Sequence, residues 1–213
     1  MDALFLFLTL VVMITIGGLF FILSHPLGQK PAPATIIEGT SIIPSQMIMG
    51  SDGLSGLALN ERTQQICLLG NPSQPPRILP TTQLLGTFLI HNGELIGEGK
   101  RKRPKEAVLF LQENERTKQT QIAQLHAPGG SSTNQRMDLL VAVLDEIDPF
   151  HVVNFLDMET KVGGILFEKA LTTSKYWHNV LNGLILQADQ QAMIHSEASV
   201  ENGKDIVIAT SRS

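Results

Sequence analysis

The sequence predicts an α+β protein: an N-terminal transmembrane helix, then a mainly antiparallel β domain with a long C-terminal amphipathic helix. Three observations predict it. Residues 3–23 (ALFLFLTLVVMITIGGLFFIL) contain no charged side chain. Between residues 57 and 156, short apolar runs alternate with turn-forming residues. From residue 166 onward, apolar side chains recur at helical spacing. Strands first and one long helix last is an α+β order.

The apolar run comes first. A bilayer core needs roughly 20 helical residues at ~1.5 Å rise each, and a helix satisfies its own backbone hydrogen bonds in lipid. A cleaved signal would carry a basic n-region, a core of about 7–15 apolar residues and a small-x-small cleavage site. Here Met1-Asp2 precedes the run with no Lys or Arg, the run is longer, and Ser24-His25-Pro26-Leu27-Gly28 offers no such site. The expectation is an uncleaved single-pass anchor over residues 1–25, with the lipid bilayer as partner through residues 3–23. Lys30 on the C-terminal side and no basic residue on the N-terminal side tilt the domain toward the cytoplasm. Cys67 is the lone cysteine, which excludes an intrachain disulfide and suits a reducing compartment. The expected location is an inner (plasma) membrane with a cytoplasmic domain.

Residues 26–50 read as a linker, punctuated by Pro26, Pro31, Pro33 and Pro44 without a sustained period. The globular domain is expected over 51–195. Leu57-Ala58-Leu59 and Gln65-Ile66-Cys67-Leu68-Leu69 flank a polar turn and form a hairpin pattern. Residues 84–90 and 94–96 flank His91-Asn92-Gly93, and Asn-Gly between apolar segments is a strong hairpin signal. Residues 107–111 (AVLFL) read as a short strand. Residues 138–144 and 151–156 read as two strands around an Asp- and Pro-containing turn, and residues 128–134 as a loop.

The final element is helical, with Leu166, Ala170, Trp177, Val180, Leu181, Leu184 and Ala188 on one face. Trp177 belongs to that stripe and is expected in the core, with Tyr176 turned toward solvent. Residues 196–213 read as a loose tail.

This element order resembles the pleckstrin-homology-like architecture, which implies two packed antiparallel sheets capped by a C-terminal helix. The passages DLLVAVLDEIDPFHVVNFLD and YWHNVLNGLILQAD resemble those of poorly characterised bacterial membrane-anchored proteins. That resemblance implies no activity.

Chemistry-bearing patterns are few. Five basic side chains, Lys100, Arg101, Lys102, Arg103 and Lys105, fall within six residues on an expected loop or strand end. They are the candidate surface for anionic lipid headgroups or an acidic partner, each worth ~1 kcal/mol near an anionic leaflet. Without interleaved aromatics, and with a formal net charge of −4, the chain is not read as a nucleic-acid binder. Asp145, Asp148 and His151 recur every three residues, a spacing open to metal or acid–base chemistry. Asp is also the ordinary turn residue, and His151 could pair with Asp145. The segment ELIGEGK lacks the phosphate-loop spacing, and Gly53-Leu54-Ser55-Gly56 is not a nucleophile elbow.

No catalytic residue, cofactor or metal ligand is assigned. The expectation is a non-enzymatic interaction module, a subunit or assembly factor of a larger membrane complex, with other membrane subunits as partners. The alternatives are a membrane-surface enzyme using the Asp/His turn and an envelope-facing binding protein.

Overall fold

Antiparallel strands form two four-stranded sheets in a computed structural model of the chain. The structure describes residues 42–70, 75–126 and 133–210, with side chains as far as residue 194. The expected anchor over residues 1–25 lies outside the described residues. Among those described, no helix is long and apolar enough to cross a membrane.

The first sheet runs β1 (Gln46–Met49), β2 (Gly56–Asn60), β3 (Gln65–Leu69) and β4 (Arg77–Pro80) in order. Its register sets Leu57 against Leu68 and Leu59 against Ile66, so these four side chains share one face and enter the main core. Ala58 and Cys67 pair on the opposite face and are buried with Ile42 and Leu69. Part of the stretch expected to be linker is therefore structured: β1 and the buried Ile42 both precede residue 50. Pro44 stands just outside β1, so it removes no donor from the ladder.

The second sheet contains β5 (Leu84–His91), β6 (Glu94–Lys100), β7 (Asn134–Val143) and β8 (Phe150–Glu159), in the order β6-β5-β7-β8. β5 and β6 turn on Asn92 and Gly93, both at positive φ (49° and 78°), as a two-residue type I′ loop requires. A Cβ on Gly93 would also stand 2.6 Å from Cε1 of the His126 ring. Gly93→Ala is therefore expected to cost about 1–2 kcal/mol from the left-handed backbone alone. A lowered urea midpoint of the variant measures this.

Between β6 and β7 the chain crosses over β5 through α1 (Lys105–Glu113) and α2 (Glu115–Gln124). Residues 107–111, expected as a strand, form the body of α1. A five-residue apolar run carries no decisive period. Here Ala107 and Leu111 sit four apart and bury one helical face against Leu85, Phe88 and Ile90 of β5. Ile122 and Leu125 extend the same layer.

The other face of this sheet meets α3 (Ile165–Thr210) and the first sheet. Phe167, Ala170, Ser174, Trp177, Leu181, Ile185 and Ala188 form the buried stripe of α3. Leu166, expected on that stripe, is half exposed, and Phe167 takes the buried place. Tyr176 is exposed as expected, and its hydroxyl donates to Gln46 Oε1 at 2.7 Å. The expected loose tail from residue 196 is instead a continuation of α3 to Thr210; residues 211–213 lie outside the described set.

The two sheets are joined by polar contacts along β8. Ser51 N–H donates to Asn154 O at 2.7 Å, and Asn154 N–H donates to Ser55 Oγ at 3.1 Å. The β1–β2 loop thus satisfies β8 backbone groups beyond its own ladder.

Candidate functional site

The basic segment leaves the end of β6 and enters the first turn of α1. Its five charges are not equivalent. Arg101 is buried, and its Nε lies 2.6 Å from Asp189 Oδ1 on α3. The same Nε–H is shared with Arg103 O (2.8 Å), while Nη1 and Nη2 donate to Thr82 O (3.0 Å) and Ala188 O (3.4 Å). Asp189 also accepts the N–H groups of Lys102 (2.8 Å) and Arg103 (3.1 Å). One carboxylate therefore fixes three consecutive residues of the connection. Lys100 pairs with Glu98 at 2.8 Å. Lys102, Arg103 and Lys105 remain exposed, with no ion pair among the described residues. The sequence pattern of five charges becomes a surface of three, presented by a clamped connection.

Beside it, β6 and α1 border a cleft of about 340 Å³. Glu98, Lys100, Arg101, Lys102, Val108, Leu111, Gln112 and Glu115 line it. Glu115 holds the buried Lys118 at 2.7 Å, and Lys118 Nζ also lies 4.7 Å from the centre of the Phe88 ring. The Lys118 ammonium, followed by the Gln119 amide, holds the Glu115 carboxyl below its ordinary range.

The Asp/His turn is tied up in the fold. Asp145 Oδ1 accepts the N–H groups of Ile147 (2.9 Å) and Asp148 (3.2 Å), and these bonds lower its pKa. Its Oδ2 pairs with Arg77 Nη1 at 3.2 Å, and the same nitrogen lies 3.0 Å from Asp148 Oδ2. His151 does not pair with Asp145. It is within 3.1 Å of Gly56 O, and burial pushes its pKa down. These contacts fasten β4 to the β7–β8 turn and β8 to β2. Among the described residues no three His, Cys, Asp or Glu side chains come together as a metal-holding group.

Two further groups were legible only in three dimensions. Asp138 is fully buried on β7, with Oδ2 2.8 Å from Arg136 Nε and Oδ1 accepting Asn154 Nδ2 at 2.8 Å. Ser51 bonds the Asn154 side-chain oxygen, so this network runs from the β1–β2 loop into the second sheet. The second group is apolar and exposed. Met158, Val162, Ile165 and Leu166 are all exposed and fall within nine residues where β8 passes into α3, and Ile165 is 88% exposed. About 36 Å of helical rise separates Ile165 from Asp189.

Cys67 is fully buried in β3, and burial pushes its thiol up to about 11. A thiol so placed is protected in any compartment, so its redox state does not report topology. Compared with protein-family models, curated proteins and solved structures, the chain has no significant match.

Proposed function

We propose that the chain is a membrane-anchored, non-enzymatic interaction module, a subunit or assembly factor of a larger membrane complex. Its domain faces the cytoplasmic side of an inner (plasma) membrane. The observation that carries the interaction reading is the exposed apolar junction of Met158, Val162, Ile165 and Leu166. Side chains of this kind scattered singly are ordinary, and four within nine residues of one junction favour a contact surface. The apolar run of residues 3–23 supports the anchor, and Lys102, Arg103 and Lys105 supply charge for an anionic leaflet or acidic partner. The element order that resembles pleckstrin-homology-like domains fits a scaffold of this kind, with α1 and α2 as an addition. The enzyme alternative draws less support, because Asp145 and His151 already hold structural partners.

The test uses the full chain in native membranes, gently solubilised and captured. The expected result is a stoichiometric integral-membrane partner that is lost when Val162→Ser and Ile165→Ser are combined, with helix content unchanged. Retention of every partner by that variant would remove the contact surface. A mature N-terminus after Leu23, or release of the full chain by alkaline carbonate, would end the anchor reading. Digestion of the domain by protease added outside an intact inner membrane would favour the envelope-facing alternative.

A further inference from the structure

The cleft between β6 and α1 carries both signs of charge and two apolar side chains. Glu98 and Glu115 contribute carboxylates, Lys100 and Lys102 contribute ammonium groups, and Val108 and Leu111 contribute apolar surface. A bare phosphate entering it would meet two carboxylates, and a simple cation would meet two lysines. A group that carries a phosphate at one end and a positive charge at the other matches the lining. The volume of about 340 Å³ is within the range of small-ligand sites.

We propose that this cleft recognises a phosphate ester bearing a primary ammonium group, the chemistry of phosphoethanolamine. Lys100 and Lys102 face the phosphate, with Lys102 supplying the charge that no carboxylate neutralises. The Glu98 carboxylate oxygens accept the ammonium N–H groups, with Glu115 kept in the wall by Lys118 and Gln119, and Val108 and Leu111 pack against the ester carbons. A primary ammonium has three N–H donors for these acceptors, whereas a trimethylated one has none. Arg101 holds the wall rather than the ligand, since Asp189 and three carbonyls occupy its donors. A bilayer headgroup and a soluble ester share this chemistry. The headgroup as source rests on the membrane-anchored reading above.

The experiment uses the full chain in maltoside micelles, which contain neither phosphate nor amine. Calorimetric titrations compare phosphoethanolamine, phosphocholine, inorganic phosphate and dihexanoyl-phosphatidylethanolamine. The expected result is binding of both ethanolamine compounds, with phosphocholine and inorganic phosphate at least about tenfold weaker. Lys102→Ala, an exposed change, should weaken phosphoethanolamine about tenfold while the fluorescence of Trp177 stays unchanged. Glu98→Gln should remove the preference for phosphoethanolamine over inorganic phosphate. Equal binding of inorganic phosphate and phosphoethanolamine by the unmodified chain would overturn the proposal, as would heat from none of the four. Binding of the soluble ester without the short-chain lipid would overturn the headgroup as source. The anchor is judged separately, by carbonate extraction.

Discussion

Asp189→Ala is expected to destabilise the domain by about 3–5 kcal/mol, the range for removing one partner from a buried ion pair. The variant strands the Arg101 guanidinium among three carbonyl oxygens, with its side chain 4% exposed in the folded protein. It also frees the Lys102 and Arg103 N–H groups, but these belong to exposed residues and can turn to water. Trp177 is the single tryptophan, buried on α3 just over three turns before Asp189, and its fluorescence reports the urea midpoint. Replacing both partners, Arg101→Met with Asp189→Leu, should recover most of the loss, because the desolvation cost disappears with the charges. A loss below about 1 kcal/mol in the single variant would mean that water reaches the guanidinium and the pair behaves as an exposed one.

Asp138→Ala is expected to cost about 3 kcal/mol, since it leaves Arg136 Nε without its acceptor and Asn154 Nδ2 with only Leu156 O. The pH dependence has a definite sign. Burial raises the Asp138 pKa, against the opposing pull of Arg136 and Asn154. The native state therefore keeps a proton over a window in which the unfolded chain has lost it. In that window stability falls as pH rises. The contribution is whole below the unfolded value of about 3.9 and is lost as pH climbs through the raised native value. Asp138→Asn does not titrate. The stability of the wild type relative to this variant should therefore shrink with rising pH, measured as paired urea midpoints between about pH 3 and 7. Asp145 acts in the other direction: its pKa is lowered, so its contribution is lost on acidification. A wild-type advantage that grows with pH would show that Arg136 dominates burial at Asp138.

The strands were legible wherever a turn residue announced them. Asn92-Gly93 and the pairing of Leu57 and Leu59 with Leu68 and Ile66 follow from local chemistry and a period of two. The long helix followed from its spacing, although one residue of slippage put Leu166 where Phe167 belongs. Residues 107–111 misled because five apolar residues in a row span little more than one helical turn and fit a buried strand equally well. β1 was hidden by Pro44 and by its own half-exposed, four-residue length. At the candidate site, the sequence grouped five cations by proximity along the chain. It could not show that Asp189, 88 positions after Arg101, removes that cation from the surface. The exposed junction at Ile165 was equally illegible, since an apolar residue opening a helix reads as core until its surroundings are known.

Contacts between the beginning and end of this domain fix the order in which it can be completed during synthesis. Ser51 bonds Asn154, 103 positions later, and Gln46 accepts from Tyr176, 130 positions later. Leu57, Leu59, Ile66 and Leu68 find their cover only when β7, β8 and α3 have emerged. At ~5–20 residues per second, the nascent first sheet waits on the order of 5–20 s with its apolar face open. An anchor at residues 3–23 would have left the ribosome well before that. The half-built sheet would then spend its exposed interval held at the membrane, at a fixed place rather than free to meet other unfinished chains.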